Sequence, residues 1–167
     1  MTMLTIYLIG IVVVSFILIL KTKDSRLVFR IGLVGLFLNL IWELGQMKWY
    51  QGFSTFSDHI VCVPAAFGDV LAVLSLYAVV AYVKHDWLWY KSIDRSSVTI
   101  TVLLGGLLAI VMEERALMLG LWSYTSDMPL VPFFHVGLLP VLQMMLLPLV
   151  SFAIVHKIFP IRNGKKL

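Results

Sequence analysis

Five apolar segments, each long enough to cross a lipid bilayer, occupy most of this chain of 167 residues. They are residues 4–20, 27–50, 60–83, 98–122 and 131–159. A helix that crosses about 30 Å of hydrocarbon needs about 20 residues. Apolar and polar residues do not alternate along the segments, as they do in the strands of a membrane barrel, so we expect helices. The sequence predicts an all-α, polytopic membrane helix bundle of about five transmembrane helices, with residues 1–167 in a single domain.

The low charge content excludes the other broad classes of protein. Charged residues make up 13% of the chain and hydrophobic residues 60%. This charged fraction is about half that of a soluble domain, so it cannot provide the polar surface of a water-soluble fold, and a disordered chain is excluded by the same composition. With one cysteine, Cys62, the chain has no intramolecular disulfide.

The basic residues divide unequally between the two sides of such a bundle. One side has Lys48 alone, and Arg115 lies inside the fourth segment. Because Lys and Arg are enriched in cytoplasmic loops, we expect the N-terminus outside, the C-terminus in the cytoplasm, and a multi-pass protein of the cell membrane, of the bacterial inner-membrane type. The orientation of the chain in the membrane is sufficient to explain the positions of these basic residues, so we expect no nucleic-acid partner. Eleven bases lie on the cytoplasmic side: Lys21, Lys23, Arg26, Arg30, Lys84, Lys91, Arg95, Lys157, Arg162, Lys165 and Lys166.

Polar side chains within or beside the apolar segments are the candidate functional residues. An ionisable group inside the bilayer is costly and usually faces the interior of the bundle. At a rise of about 1.5 Å per residue, the acids and Gln143 lie about 10–14 Å inside the outer ends of four segments. We therefore expect a pocket that opens outward or sideways and is closed on the cytoplasmic side.

Three acids are the candidate catalytic residues: Glu43, Asp69 and Glu114. Adjacent residues of a helix point about 100° apart, so only one of Glu113 and Glu114 is expected to face the pocket deeply. The candidate substrate-binding residues are Asn39, Trp42, Gln46, Tyr50, His59, Arg115, Trp122, Tyr124, His135 and Gln143.

Structural alternatives exist for these residues. Glu43 with Asn39 and Gln46 is also explained as a hydrogen-bond cluster that fixes helix packing. Asp69 and Arg115 are expected to lie within ion-pair reach, because an uncompensated buried charge costs several kcal/mol. Such a pair would support the fold whether or not it takes part in catalysis.

A metal or haem site is the least supported reading of the polar residues. His59 and Cys62 are three residues apart and could share a metal ion, with His135 as a third ligand or as a haem ligand. The ligand set is incomplete, so the sequence predicts no metal and no cofactor.

The sequence Asn39-Leu-Ile-Trp42-Glu43 resembles a motif of the small integral-membrane terpene cyclases of meroterpenoid pathways, which are lycopene-cyclase-like. In that family a membrane carboxylate protonates an epoxide or alkene of a lipophilic isoprenoid and starts cyclisation. The resemblance implies that Glu43 is a proton donor and that Asn39 and Trp42 form its setting. It covers residues 39–43 alone, and that family usually has more spans than the five predicted here.

Three functions fit these observations. The first is an intramembrane enzyme that acts on a lipophilic substrate by carboxylate acid–base chemistry. The second is a solute-binding component of a transporter, and the third is an assembly subunit of a membrane complex. The expected partners are membrane lipids, a lipophilic small molecule, and either a partner membrane subunit or further copies of the chain.

Overall fold

Four long helices form the described part of the protein. The computed structural model describes residue 13 and residues 25–52 and 62–159. The helices are α1 (Ser25–Gln46), α2 (Cys62–Val83), α3 (Arg95–Met118) and α4 (Leu138–Ile158). Each is long and apolar enough to cross a membrane. The all-α class is confirmed for these ranges, in which the only β contacts are two isolated bridges. The first predicted segment, residues 4–20, lies outside the described residues except for Val13.

The start of α4 differs from the prediction. The fifth apolar segment was expected to be helical from residue 131, but the helix begins at Leu138. The preceding residues form a loop closed by hydrogen bonds from Val131 N to Val136 O (2.8 Å) and from Leu138 N to Pro129 O (2.7 Å). Apolar composition alone does not distinguish such a loop from a helix.

Close packing of α3 against α4 depends on a glycine. A Cβ atom at Gly105 would lie 2.2 Å from the carbonyl oxygen of Met144. The absent side chain therefore lets the two backbones approach, as small residues do in membrane helix pairs. This contact sets the position of the α4 residues that reach the centre of the bundle.

Aromatic residues fill one end of the bundle. Tyr77, Trp89 and Phe152 are fully buried there. The Tyr77 hydroxyl donates to the Trp87 carbonyl oxygen (2.5 Å), and Trp89 Nε1 donates to the Tyr77 carbonyl oxygen (3.3 Å). These bonds hold the loop between α2 and α3 against the helix ends, so this end of the bundle is closed.

The same loop ends at a capped helix start. The Asp94 carboxylate accepts a hydrogen bond from Ser97 N (3.0 Å) at the beginning of α3, which satisfies one of the free N–H groups of the first turn. Lys84 Nζ lies 2.6 Å from the second oxygen of Asp94. The hydrogen bond from Lys84 holds the pKa of the Asp94 carboxyl well below its usual range.

Candidate active site

A cavity of about 660 Å³ lies at the end of the bundle opposite the aromatic cluster. Its volume falls within the range of small-molecule sites. Most of the wall is apolar and includes Met47, Met112, Ala116, Leu119 and Met144. The polar wall residues come from all four helices and from the segments that follow α1 and α3: Glu43, Tyr50, Asp69, Glu113, Arg115, Trp122 and Gln143.

The side-chain amide of Gln143 is the centre of the polar cluster. Its Nε2 atom lies 2.8 Å from Asp69 Oδ2, 2.9 Å from Asn39 Oδ1 and 3.0 Å from Glu43 Oε1. Its Oε1 atom accepts from Gln46 Nε2 at 3.1 Å. Gln143 is 1% exposed. One amide from α4 thus joins two acids and two amides from α1 and α2.

The carboxyl groups of Glu43 and Asp69 meet at this amide, because Glu43 Oε1 lies 3.0 Å and Asp69 Oδ2 lies 2.8 Å from the same Gln143 Nε2 atom. An ionised carboxylate can only accept hydrogen bonds. Two ionised carboxylates at one amide repel each other, and a proton on one of them removes this repulsion and lets it donate to the other. The pair can hold one proton at the wall of an apolar cavity.

Three further polar residues of α1 lie on the Glu43 side of the cluster. Gln46 Nε2 donates to Glu43 Oε1 (2.9 Å), Trp42 Nε1 donates to Gln46 Oε1 (3.2 Å), and Asn39 Nδ2 donates to the Gly35 carbonyl oxygen (2.8 Å). Asn39, Trp42 and Gln46 are absent from the cavity wall. Their contacts support the polar cluster from outside the cavity: Gln46 bonds Glu43, Trp42 bonds Gln46, and Asn39 bonds Gln143. Their role in substrate binding stays a prediction.

Glu113 is a third carboxyl group on the cavity wall. Its Oε2 atom accepts hydrogen bonds from the Tyr124 hydroxyl and from Trp122 Nε1, the latter at 3.3 Å. Gly137 N donates to the Tyr124 hydroxyl oxygen (3.0 Å). Burial raises the pKa of the Tyr124 hydroxyl, so this group keeps its proton and acts as a donor.

Tyr50 completes the aromatic wall. Its ring lies edge-on to Trp122 and Tyr124, with centroid distances of 6.2 and 5.4 Å. A backbone bridge joins Tyr50 to Tyr124, with hydrogen bonds from Gln51 N to Ser123 O and from Thr125 N to Trp49 O, both 2.9 Å. The loop after α3 therefore folds back over the end of α1.

The structure places two sets of charged residues differently from the sequence prediction. The predicted catalytic Glu114 is half-exposed and does not line the cavity, whereas its neighbour Glu113 does. The predicted ion pair between Asp69 and Arg115 is not formed. Among the described residues, the ion pair found joins Lys84 and Asp94.

The predicted metal ligands are not gathered at the cavity. Cys62 lines it, but His135 is exposed in the loop before α4 and is not part of the wall. His135 is therefore not placed as a substrate-binding residue. His59 lies outside the described residues. Within the described ranges, no group of three or more His, Cys, Asp or Glu side chains could hold a metal ion.

Small residues of the cavity wall were not predicted. Ala65 and Gly68 of α2 and Ala109 and Ala116 of α3 line the cavity, and their short side chains leave its volume open. Their spacing of three and seven residues places each pair on one helix face. This spacing is the signal that could have identified them.

Comparison of the chain with protein-family models, with curated proteins and with solved structures gave no match.

Proposed function

We propose that the protein is an intramembrane enzyme that acts on a lipophilic, isoprenoid-like substrate by carboxylic-acid catalysis. The observation that carries the proposal is the pair of acids Glu43 and Asp69, both bonded to the Gln143 amide and both on the wall of an apolar cavity of about 660 Å³. A general acid must hold a proton and reach the substrate. The shared proton and the cavity wall meet these two requirements.

The proposed chemistry begins with proton transfer from the Glu43–Asp69 pair to an epoxide oxygen or an alkene carbon. If the acceptor is an epoxide, its C–O bond breaks as the oxygen gains the proton. An alkene of the same chain then attacks the electron-poor carbon and forms a C–C bond. A proton leaves carbon at the end of the sequence, and the product is an isomer of the substrate.

Two aromatic residues and a third acid on the cavity wall can take part in the later steps of this reaction. The aromatic faces of Tyr50 and Trp122 can stabilise positive charge on the hydrocarbon. Glu113, which lies on α3 and not on α1 or α2, is our choice for the group that accepts the departing proton. A solute-binding component would need the same cavity but no proton transfer.

The experiment that tests the proposal supplies the purified protein with a farnesyl-chain epoxide and with the alkene that lacks the epoxide oxygen, each prepared with a neutral and with an acidic end group. We expect a cyclised isomer of unchanged mass from at least one of them. In deuterated water, protonation of the alkene places one deuterium on carbon. Conversion of neither probe, or formation of the diol alone at the rate seen with heat-denatured protein, would contradict the proposal.

We also propose that the cavity opens at the outer face of the cell membrane, with a fifth span at residues 4–20. The support is the charge distribution: the loop between α2 and α3 carries Lys84, Lys91 and Arg95, whereas the opposite end of α1 carries Lys48 alone. The N-terminus is then outside and the C-terminus in the cytoplasm.

Cysteine labelling tests this orientation. Ser92 and Ser126 are exposed at opposite ends of the bundle and each tolerates a small thiol. In a Cys62→Ala background, we expect an impermeant thiol reagent added to intact cells to label Ser126→Cys and not Ser92→Cys. The reverse labelling pattern would show that the bundle has the opposite orientation.

A further inference from the structure

Arg115 is a cation on the cavity wall that has no anionic partner among the described residues. It is half-buried in the last turn of α3 and lines the cavity. Its guanidinium group makes no hydrogen bond or ion pair with any residue in the ranges 25–52 and 62–159. An arginine in an apolar, membrane-embedded setting normally pairs with an acid or a backbone carbonyl.

The acids of the same cavity are already engaged. Glu43 and Asp69 both bond to Gln143, and Glu113 accepts from Tyr124 and Trp122. The guanidinium group is therefore left with five N–H donors in a planar fork. This arrangement matches the oxygens of a phosphate or carboxylate group.

Apolar side chains surround the position of Arg115 on the wall. Met112 and Ala116 of α3 lie three residues before and one after it, Leu119 directly follows the helix, and all three line the cavity. An anion bound there by Arg115 would have apolar surface beside it. This surface suits an acidic group that carries a hydrocarbon chain.

The positions of the charged groups along the helices indicate how a ligand would be oriented in the cavity. Arg115 lies three residues before the end of α3, about 5 Å from it. Asp69 lies seven residues into α2, about 10 Å from its start at the same end of the bundle. An acidic group at Arg115 is thus near the mouth, and a chain attached to it extends towards the Glu43–Asp69 pair.

We propose that Arg115 binds the acidic head group, a phosphate or carboxylate, of a lipophilic ligand whose chain occupies the cavity. The proposal rests on the proposed function for the identity of the ligand as substrate. It assigns the substrate class as an acidic amphiphile and makes Arg115 a specificity-determining residue.

Binding of dodecyl phosphate to the purified full-length protein in an uncharged detergent tests the proposal. Dodecanol, which has the same chain, and inorganic phosphate, which has the same charged group, are the two comparison ligands. We expect dodecyl phosphate to bind most tightly to the wild type. Its Kd should rise at least ten-fold in Arg115→Gln and by less in Arg115→Lys, which keeps the charge but loses the fork.

Lys48→Gln is the matched control. Lys48 is an exposed cation at the same end of the bundle and does not line the cavity. Its replacement removes the same charge and should leave the Kd for dodecyl phosphate unchanged.

The proposal is overturned if Arg115→Gln binds dodecyl phosphate as the wild type does, if dodecanol binds as tightly, or if Lys48→Gln loses as much affinity. If Arg115→Gln does not fold, unchanged affinity in Arg115→Lys together with equal binding of dodecanol overturns it.

Native mass spectrometry separates two sources of the acidic group. A phospholipid that co-purifies with the wild type, is displaced by dodecyl phosphate and is absent from Arg115→Gln identifies a membrane lipid as the ligand. Dodecyl phosphate binding without a co-purified phospholipid identifies a free amphiphile as the ligand.

The binding assay does not depend on enzymatic turnover, so it tests the Arg115 site separately from the proposed function. Loss of binding in Arg115→Gln, with no conversion of the isoprenoid probes by the wild type, would therefore reject the proposed function and leave the Arg115 site standing.

Discussion

Replacement of Gln143 by leucine is expected to destabilise the bundle by about 3–5 kcal/mol, because several buried oxygens lose the amide that bonds to them. Leucine has a similar volume but no amide. The variant removes in one step the two amide N–H donors that Glu43 Oε1, Asp69 Oδ2 and Asn39 Oδ1 share. Each of these oxygens then lies in an apolar setting with fewer donors, and each unsatisfied buried group costs about 1–3 kcal/mol.

The measurement is the apparent melting temperature in detergent. For a chain of this size, a loss of this magnitude lowers the melting temperature by roughly 10 °C or more. Gln51→Leu is the control, because Gln51 is exposed and its side chain accepts a single hydrogen bond, from Ser123 Oγ (3.1 Å). Its effect should stay within about 0.5 kcal/mol. Equal melting temperatures for Gln143→Leu and the wild type would mean that the amide does not stabilise the acid cluster.

The Glu43→Gln variant is expected to abolish conversion of the isoprenoid probe while the protein stays folded. Glutamine keeps the size of the side chain, and its oxygen can still accept from Gln46 and Gln143. Its amide N–H can donate to Asp69, but it supplies no proton to a substrate. Removal of a general acid typically costs a factor of 10² to 10⁴ in rate.

Glu114→Gln is the control for Glu43→Gln, and it also distinguishes the two interpretations of the acid pair on α3. Glu114 does not line the cavity, so its replacement should leave the rate within a factor of two or so of the wild type, as expected for a surface change. Glu113→Gln should slow the reaction. A large loss in Glu114→Gln with none in Glu113→Gln would restore the prediction made from the sequence.

Helical periodicity was sufficient to identify the α1 part of the site. Asn39, Glu43 and Gln46 are spaced by four and three residues, and such residues share a helix face whatever the surrounding fold. The structure places them together, as that spacing requires. Which of them reaches the cavity depends on the neighbouring helices, and for this reason the roles of Asn39 and Gln46 were not predictable.

The central position of Gln143 and the choice between Glu113 and Glu114 depend on tertiary packing. Gln143 reaches Glu43 and Asp69 because α4 lies against α3 at Gly105. No local pattern encodes the register of this contact. Two adjacent acids on one helix differ only in direction, and the rotation of α3 about its axis decides which one faces the cavity.

The loop before α4 was mistaken for helix because it is as apolar as a membrane span. Phe133 and His135 have positive φ angles of 72° and 56°, which a helix does not contain. Phe133 is 93% exposed, so its apolar character does not arise from burial in the bundle. Hydropathy indicates whether a residue favours an apolar environment, and it does not determine the backbone conformation of that residue.

The most direct test of the central claim is infrared spectroscopy of the proton that we propose Glu43 and Asp69 share, and it needs no substrate. A protonated carboxyl group has a C=O stretching band that an ionised one lacks, and the band shifts in deuterated water. We predict this band near neutral pH in the wild type and in Glu114→Gln, and its loss in Glu43→Gln and in Asp69→Asn. In each of the last two variants, the new amide donates to the remaining acid and allows it to ionise. A wild-type spectrum without the band, or a band that persists in both Glu43→Gln and Asp69→Asn, would contradict the proposed acid pair.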